Sequence, residues 1–350
     1  MTRPKLDIRD VSKKYGQTNA LLPTSLKVES GEFLTLLGPS GSGKTTLLLM
    51  IAGLTEASGG SIHLDGTDIT RLPAYKRDIG VVFQNYALFP HLNVYENVAF
   101  PLRLRKKSES EIRAAVERTL DLVRLGHLAQ RLPRELSGGQ QQRVAFARAI
   151  VFDPQLILMD EPLGALDKKL RDELKLEIRK LHGELKKTII YVTHDQEEAM
   201  LLSDRVVLMN DAHIEQIAPP VDLYERPATA FAAGFIGESN LVECDVAAGA
   251  GVMFAGTWLV TSFEERLPAS GKVTVLMRPE RIRMDPKGRL QGTVTDVIDL
   301  GVTSRLTVAV QNGPDITISV PGGAERLLAG DCVCFDIQPK DVVPLARAGA

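Results

Sequence analysis

The chain has 350 residues, of which 44% are hydrophobic and 25% charged, with a formal net charge of −2. That length predicts two domains or three, and the near-neutral charge argues against a general nucleic-acid-binding surface. No run approaches the ~18–20 apolar residues of a membrane span, and the N-terminus Met-Thr-Arg-Pro-Lys-Leu-Asp has no apolar signal core; a cytosolic protein is expected, with any membrane role coming through a partner.

Residues 1–31 alternate weakly, and Leu6-Asp-Ile-Arg-Asp-Val11 and Ala20–Val28 predict antiparallel strands. Phe33-Leu-Thr-Leu-Leu37 predicts a buried strand. It runs into Gly38-Pro-Ser-Gly-Ser-Gly-Lys44-Thr45, and the apolar stretch to Ala52 predicts a helix. A glycine-rich loop between strand and helix is the context a phosphate loop needs. The glycines let backbone N–H groups converge on phosphate oxygens, and the helix N-terminus adds partial positive charge. A nucleotide is therefore expected on Gly38, Ser40, Gly41, Gly43, Lys44, Thr45 and Thr46. Lys44 reaches the β- and γ-phosphates, and the Thr45 hydroxyl ligates Mg²⁺.

Strands are predicted near Ser61–Leu64 and Ile79–Phe83, followed by a helix-rich region over 96–150. Within it Glu109–Val123 has helical apolar spacing at Ile112, Ala115, Val116, Leu120 and Val123. Leu136-Ser-Gly-Gly-Gln-Gln-Gln-Arg-Val-Ala145 opens another helix with Ser-Gly-Gly, a second cluster of N–H donors suited to phosphate. Leu156-Ile-Leu-Met-Asp160-Glu161-Pro162 reads as a central parallel strand ending in two carboxylates, the edge where ligands bind in such sheets. Lys168–Lys187 is a charged amphipathic helix, and Thr188–Val192 and Val206–Leu208 are further core strands. Strand–helix alternation through this half implies a parallel α/β sheet.

Composition changes after about residue 235. Short alternating strands follow at Gly251–Phe254, Trp258–Thr261, Val273–Met277, Gly292–Ile298, Arg305–Val310, Ile316–Val320 and Cys332–Ile337, punctuated by Gly and Pro. They predict an all-β module of barrel type. The linker is expected within Pro219–Gly237. The three cysteines, Cys244, Cys332 and Cys334, do not have the spacing of a zinc site.

Beside a phosphate loop, Leu136–Ala145 resembles the signature motif of ATP-binding-cassette ATPases. The resemblance implies a head-to-tail homodimer in which Ser137, Gly138, Gly139 and Gln140 of one copy close on the ATP held by the other. It makes Asp160, at the end of a Walker B-like strand, a Mg²⁺ ligand with Thr45 and Gln84. Glu161 becomes the residue that polarises the attacking water. His194, in Tyr191-Val-Thr-His194-Asp195, becomes a γ-phosphate contact, and Tyr15 an adenine stack. Catalysis then falls to Glu161, His194 and Lys44. Leu166-Asp167 fits the interface loop after Walker B, although Gly164 stands where the family often has serine.

The implied fold is a phosphate-loop α/β cassette over 1–235, with a helical subdomain at about 90–150, followed at 236–350 by a small all-β, oligonucleotide-fold-like regulatory domain. This pairing is similar to importer subunits of the maltose, iron and polyamine branch, and Met277-Arg-Pro-Glu280 resembles a recurring turn of that domain. Asn85–His91, Asn97–Leu102 and Phe235–Asn240 look most like polyamine importers. The implied partners are integral membrane permeases and, indirectly, a solute-binding protein, at the cytoplasmic face of the membrane. Ferric iron, a sugar or another small solute is the alternative cargo. A chromosome or repair ATPase would carry a long coiled coil between Lys44 and Ser137, and a ribosome-acting one would carry two cassettes. The aromatics Tyr86, Phe89 and Tyr95 are expected at the surface, where a permease helix docks.

Overall fold

The computed structural model describes residues 3–164, 166–247, 251–323 and 327–345. The chain divides into two compact units, one ending at Pro220 and one beginning at Val221.

The first unit contains two sheets. β1 (Leu6–Tyr15), β2 (Thr18–Val28), β4 (Gly59–Leu64) and β5 (Thr67–Asp68) form an antiparallel sheet in the order β2-β1-β4-β5. The larger sheet takes β3 (Phe33–Leu37), β6 (Ile79–Val82), β7 (Leu156–Asp160), β8 (Ile189–Thr193), β9 (Arg205–Asn210) and β10 (His213–Ala218) in the order β10-β9-β3-β8-β7-β6. All its neighbours are parallel except the edge pair β9–β10. β3 and β8 are buried at every residue. Both faces are covered, so these strands read as continuous apolar runs.

Alternation then sorts their side chains to two cores. Leu34, Leu36, Leu156, Leu158, Ile190 and Val192 pack with Leu47, Leu48, Met50 and Ile51 of α1 (Lys44–Ala52). Phe33, Ile157, Met159, Ile189 and Tyr191 face the other way, toward α2 (Val94–Leu104), α3 (Glu109–Leu122) and α4 (Gly138–Ile150). These three helices lie within residues 94–150, the stretch whose periodicity predicts helix. Each starts on a side-chain cap, with Asn93, Ser108 and Ser137 accepting from the N–H of Glu96, Glu111 and Gln140. α5 (Lys168–Leu185) and α6 (Gln196–Leu202) follow in the same unit. Among the described residues no helix is long and apolar enough to cross a membrane.

Among its described residues the second unit is β-sheet apart from two short α-helices and three single-turn 3-10 helices. β11 (Asn240–Ala247), β12 (Gly251–Phe254), β13 (Thr257–Leu259), β14 (Ser270–Met277) and β20 (Val343–Pro344) pair antiparallel in the order β13-β12-β11-β14-β20. β15 (Arg283–Met284), β16 (Leu290–Asp299), β17 (Thr303–Val310), β18 (Asp315–Pro321) and β19 (Cys332–Asp336) form the other sheet, β15-β19-β16-β17-β18. One core, built on Phe254, Val275, Met277, Val308, Ile318 and Phe335, serves both sheets.

The division after Pro220 falls ahead of the boundary read from composition, and the stretch expected as linker is ordered. It forms α7 (Pro220–Glu225) and α8 (Ala230–Phe235). The buried Arg278 guanidinium donates to the carbonyls of Tyr224, Ala233 and Glu238, and Ala233 packs with Leu276, Val343 and Leu345. These contacts tie both helices to the β unit.

Candidate functional site

Parallel β3, β6, β7 and β8 end at one edge of their sheet, and the loops that leave them gather there. Gly38 comes directly after β3, Gln84 shortly after β6, Asp160 closes β7 and His194 comes directly after β8. Residues far apart in sequence thus share one crevice, the usual ligand position in such sheets.

Two glycines are dictated by contact. A Cβ at Gly38 would lie 2.1 Å from the Met209 carbonyl oxygen, and one at Gly43 would lie 2.9 Å from that of Ala20. Gly43 also caps α1 at φ +96°, a left-handed conformation that costs a side chain about 1 kcal/mol or more. The loop therefore runs tight against the chain behind it. Lys44, Thr45 and Thr46 form the first turn of α1, where N–H groups have no intrahelical acceptor.

Lys44 is buried, and its ammonium donates to the carbonyls of Gly38 and Pro39, both at 2.8 Å. Burial pulls its pKa below the ordinary value; the charges of Glu161 and Asp160 act in the opposite direction. The Thr45 hydroxyl donates to Asp160 Oδ1 at 3.1 Å. Burial raises the Asp160 carboxyl, the Thr45 hydrogen bond lowers it, and Glu161 raises it further. A hydroxyl and a carboxylate side by side are hard oxygen donors of the kind Mg²⁺ takes.

Glu161 holds a positive φ of 42°. A non-glycine residue there stores strain of order 1 kcal/mol, and such outliers gather at active sites. Its N–H donates to the Val192 carbonyl at 3.0 Å, so β8 enforces the turn. Its carboxylate is gripped on both sides. Oε1 lies 3.1 Å from His194 Nδ1, and Oε2 accepts from Gln84 Nε2 at 3.3 Å. A Cβ at Gly164 would stand 3.6 Å from Gln84 Nε2 and 3.8 Å from Glu161 Oε2. Those are ordinary van der Waals distances, so the glycine leaves room there without being sterically required.

Tyr15 is 54% exposed at the end of β1, with the Lys13 ammonium 4.8 Å from its ring centre. Ser137 and Gln140 hydrogen-bond to each other at the start of α4, each accepting from the other's N–H, and not to the phosphate loop. Ser137 is exposed, and Gly138 and Gly139 come next in the first turn. Leu166 is buried in the first unit's own core, while Asp167 caps α5 by accepting from the Leu170 N–H at 3.0 Å.

One expectation is corrected. Tyr86 is not at the surface but 7% exposed, packed in the core beneath α2 and α4. Its positive φ of 59° turns the ring inward. Tyr95 is half-buried against the same core, and Phe89 is also half-buried, its ring tilted 49° against Phe100 with ring centres 4.5 Å apart. Phe89, Phe100, Phe83, Leu104, Tyr75 and Arg148 line a largely apolar groove of about 920 Å³.

Sequence reasoning missed two groups. Arg148 donates to the carbonyls of Tyr86 and Ala87, each at 2.9 Å, joining α4 to the loop after Gln84. Glu198 sits buried under the His194 turn. Neither carries a local signal: one is a basic residue in a helix, the other an acidic residue in a helix's first turn.

Comparison with known proteins finds one family match in each unit. Residues 21–164 match the ABC transporter family and residues 275–345 the TOBE domain. The spermidine/putrescine import ATP-binding protein PotA of Acidothermus cellulolyticus is 45% identical over 99% of this chain and 95% of its own. The sulfate/thiosulfate import ATP-binding protein CysA of Bradyrhizobium diazoefficiens is 46% identical over 94% and 96%. Among solved structures, cbiO1 of Clostridium perfringens, part of the ABC transporter complex cbiONQ, matches with a TM-score of 0.59 and 30% identity, covering 63% of this chain and 91% of that one. With relatives this similar over nearly their whole length, the chain belongs to the ATP-binding-cassette family and is the ATP-hydrolysing subunit of an importer.

Proposed function

We propose that this ATPase powers polyamine import, working as a head-to-tail homodimer bound to permease subunits at the cytoplasmic face of the membrane and fed by a solute-binding protein on the far side. The observation that carries the chemistry is the convergence of Lys44, the Thr45–Asp160 pair and the Glu161–His194 pair at one sheet edge.

Hydrolysis of a phosphoanhydride needs positioning and charge stabilisation more than covalent work by the protein. The amides of Gly41, Gly43, Lys44, Thr45 and Thr46 cradle the β- and γ-phosphates, and the Lys44 ammonium exchanges its two backbone carbonyls for phosphate oxygens. Being fixed by the backbone, these donors reorganise little as charge develops. Tyr15 supplies an exposed ring for adenine. Thr45, Asp160 and Gln84 would hold Mg²⁺, which would supply charge neutralisation for the phosphates. Glu161 orients and polarises the attacking water, and His194 and Gln84 fix the direction of its carboxylate. The Ser137–Gln140 turn is exposed and not engaged by its own phosphate loop. A second copy brings it to the γ-phosphate, so ATP bridges the dimer, and a two-fold interface closes on two such sites. The groove beside Gln84 suits a short permease helix, with Phe89 and Phe100 as aromatic anchors.

For cargo, several polyamine-import relatives at 44–46% identity support the first reading. The sulfate/thiosulfate relative, equally similar, supports a second, an anion importer. Lys44→Ala in the native host abolishes ATP turnover and with it uptake. Loss of labelled spermidine uptake with sulfate uptake intact is the expected result. The reverse pattern makes the protein an anion importer, and wild-type turnover in the variant overturns the site.

A further inference from the structure

Glu198 is 3% exposed, in the first turn of α6. Its Oε2 accepts from the Tyr191 hydroxyl at 2.8 Å and from the Thr193 hydroxyl at 2.7 Å. Thr193 Oγ1 in turn accepts from the Asp195 N–H at 3.0 Å, and Asp195 Oδ1 accepts from the Glu198 N–H at 3.0 Å. These bonds close a ring around His194, the residue between Thr193 and Asp195. His194 itself is 58% exposed and reaches Glu161.

A carboxylate in this position is costly. Tyr191 and Thr193 are both buried, and the nearby Lys175 ammonium is engaged by Asp172 and Glu197, each at 3.2 Å, rather than by Glu198. Burial accordingly raises the Glu198 carboxyl above its ordinary value, against the pull of the two hydroxyls. A buried ionisable group is a poor means of gaining stability, because an apolar side chain of similar volume often serves as well or better. What an apolar residue cannot do is accept two hydroxyl protons and so set the turn after β8.

We infer that Glu198 is a positioning residue for His194, holding Thr193 and Asp195 so that the imidazole is presented to Glu161. The inference rests on His194 serving the ATP site, as proposed above. The ring fixes both residues flanking His194, so without it the imidazole swings with the turn, and small displacements at a reacting centre cost up to about 10²-fold in rate.

Three variants of the full chain test this: Glu198→Ala, the near-isosteric Thr193→Val, and His194→Ala. Thr193→Val keeps the fold even if Glu198→Ala does not, because it removes only the hydroxyl link. Steady-state ATP turnover should fall about tenfold or more in Glu198→Ala and Thr193→Val with the KM for ATP within about twofold. Combining Thr193→Val with His194→Ala should add less than about twofold to the loss of His194→Ala alone, since residues acting as a unit are not additive. By NMR, the His194 ring signal, assigned by its disappearance in His194→Ala, should shift in Thr193→Val while the other five imidazoles hold still. Unchanged turnover together with an unmoved His194 signal overturns the inference, and so does a fully multiplicative double variant. Wild-type turnover in His194→Ala instead overturns the reading of the site on which it rests.

Discussion

His194 Nδ1 stands 3.1 Å from Glu161 Oε1, and this contact spans the ends of two neighbouring parallel strands. β7 delivers the carboxylate and β8 the imidazole. The register of β7 and β8, from Ile157–Ile189 to Asp160–Val192, fixes the two strand ends side by side, and the turns that follow carry the carboxylate and the imidazole toward each other.

Glu161→Gln should leave ATP binding intact and slow hydrolysis by about 10²–10⁴, the scale of a lost general base. The amide keeps the shape of the side chain and removes its charge. With saturating ATP and Mg²⁺, gel filtration should then show a dimer accumulating. A variant that stays monomeric while binding ATP counts against the head-to-tail arrangement.

Phe89→Asp should uncouple transport from hydrolysis. The ring packs at a tilt against Phe100 in the groove, 5.5 Å from the Arg148 guanidinium, and the groove is lined by neither Lys44 nor Glu161. A carboxylate there removes an apolar anchor but touches no residue assigned to ATP. Basal ATPase of the isolated subunit should be unchanged and uptake lost; normal uptake would remove the groove from the docking surface.

Truncation should depend sharply on where the chain ends. All the residues assigned to ATP lie between Tyr15 and His194, within the first unit. A chain ending at Pro220 should remain soluble and bind ATP. One ending at Gly237 should be the poorer protein, because it keeps α8 while discarding Leu276, Val343 and Leu345, against which Ala233 is buried. Thermal unfolding and ATP binding of the two products decide this, and equal behaviour would argue that α7 and α8 belong to neither unit.

Acid should act on α3 through its cap. The Ser108 hydroxyl and N–H, followed by Lys107, hold the Glu111 carboxyl down at about 2, against an ordinary value of 4.5. A depressed folded value stabilises the protein above the unfolded value, and that contribution disappears as pH falls from about 4.5 toward 2. Glu111→Gln should therefore lower the unfolding midpoint at neutral pH, with the gap to wild type closing across that window. A constant gap would assign the effect to hydrogen bonding alone.

Much of the site was legible because its chemistry is local. Strand, glycine loop, lysine and threonine are contiguous, and their amides and hydroxyl act through backbone geometry that eight residues specify. The Asp160–Glu161 pair shows itself as acid after an apolar strand, and the Ser137 turn as a capped helix start. Tyr86 was misplaced for the opposite reason. A tyrosine in a polar loop reads as exposed, and only the left-handed backbone at residues 86 and 87, held by Arg148 from another helix, turns its ring into the core. The boundary between units was blurred similarly, since α7 and α8 carry no composition of their own and owe their place to Arg278.

By itself the sequence determined most of the first unit's strands and helices and most of the second unit's strands, though not α7 and α8, because hydrophobic periodicity and capping are short-range, and it determined the phosphate loop, because a contiguous motif carries its own geometry. Tertiary structure alone decided which distant residues meet. Sheet order put β7 beside β8 and so Glu161 beside His194, and it brought Gln84 to the far oxygen of the same carboxylate. It also placed Glu198 under the His194 turn with its charge out of water. Those relationships depend on strand pairing and burial, which are properties of the packed chain and have no counterpart in any single stretch of residues.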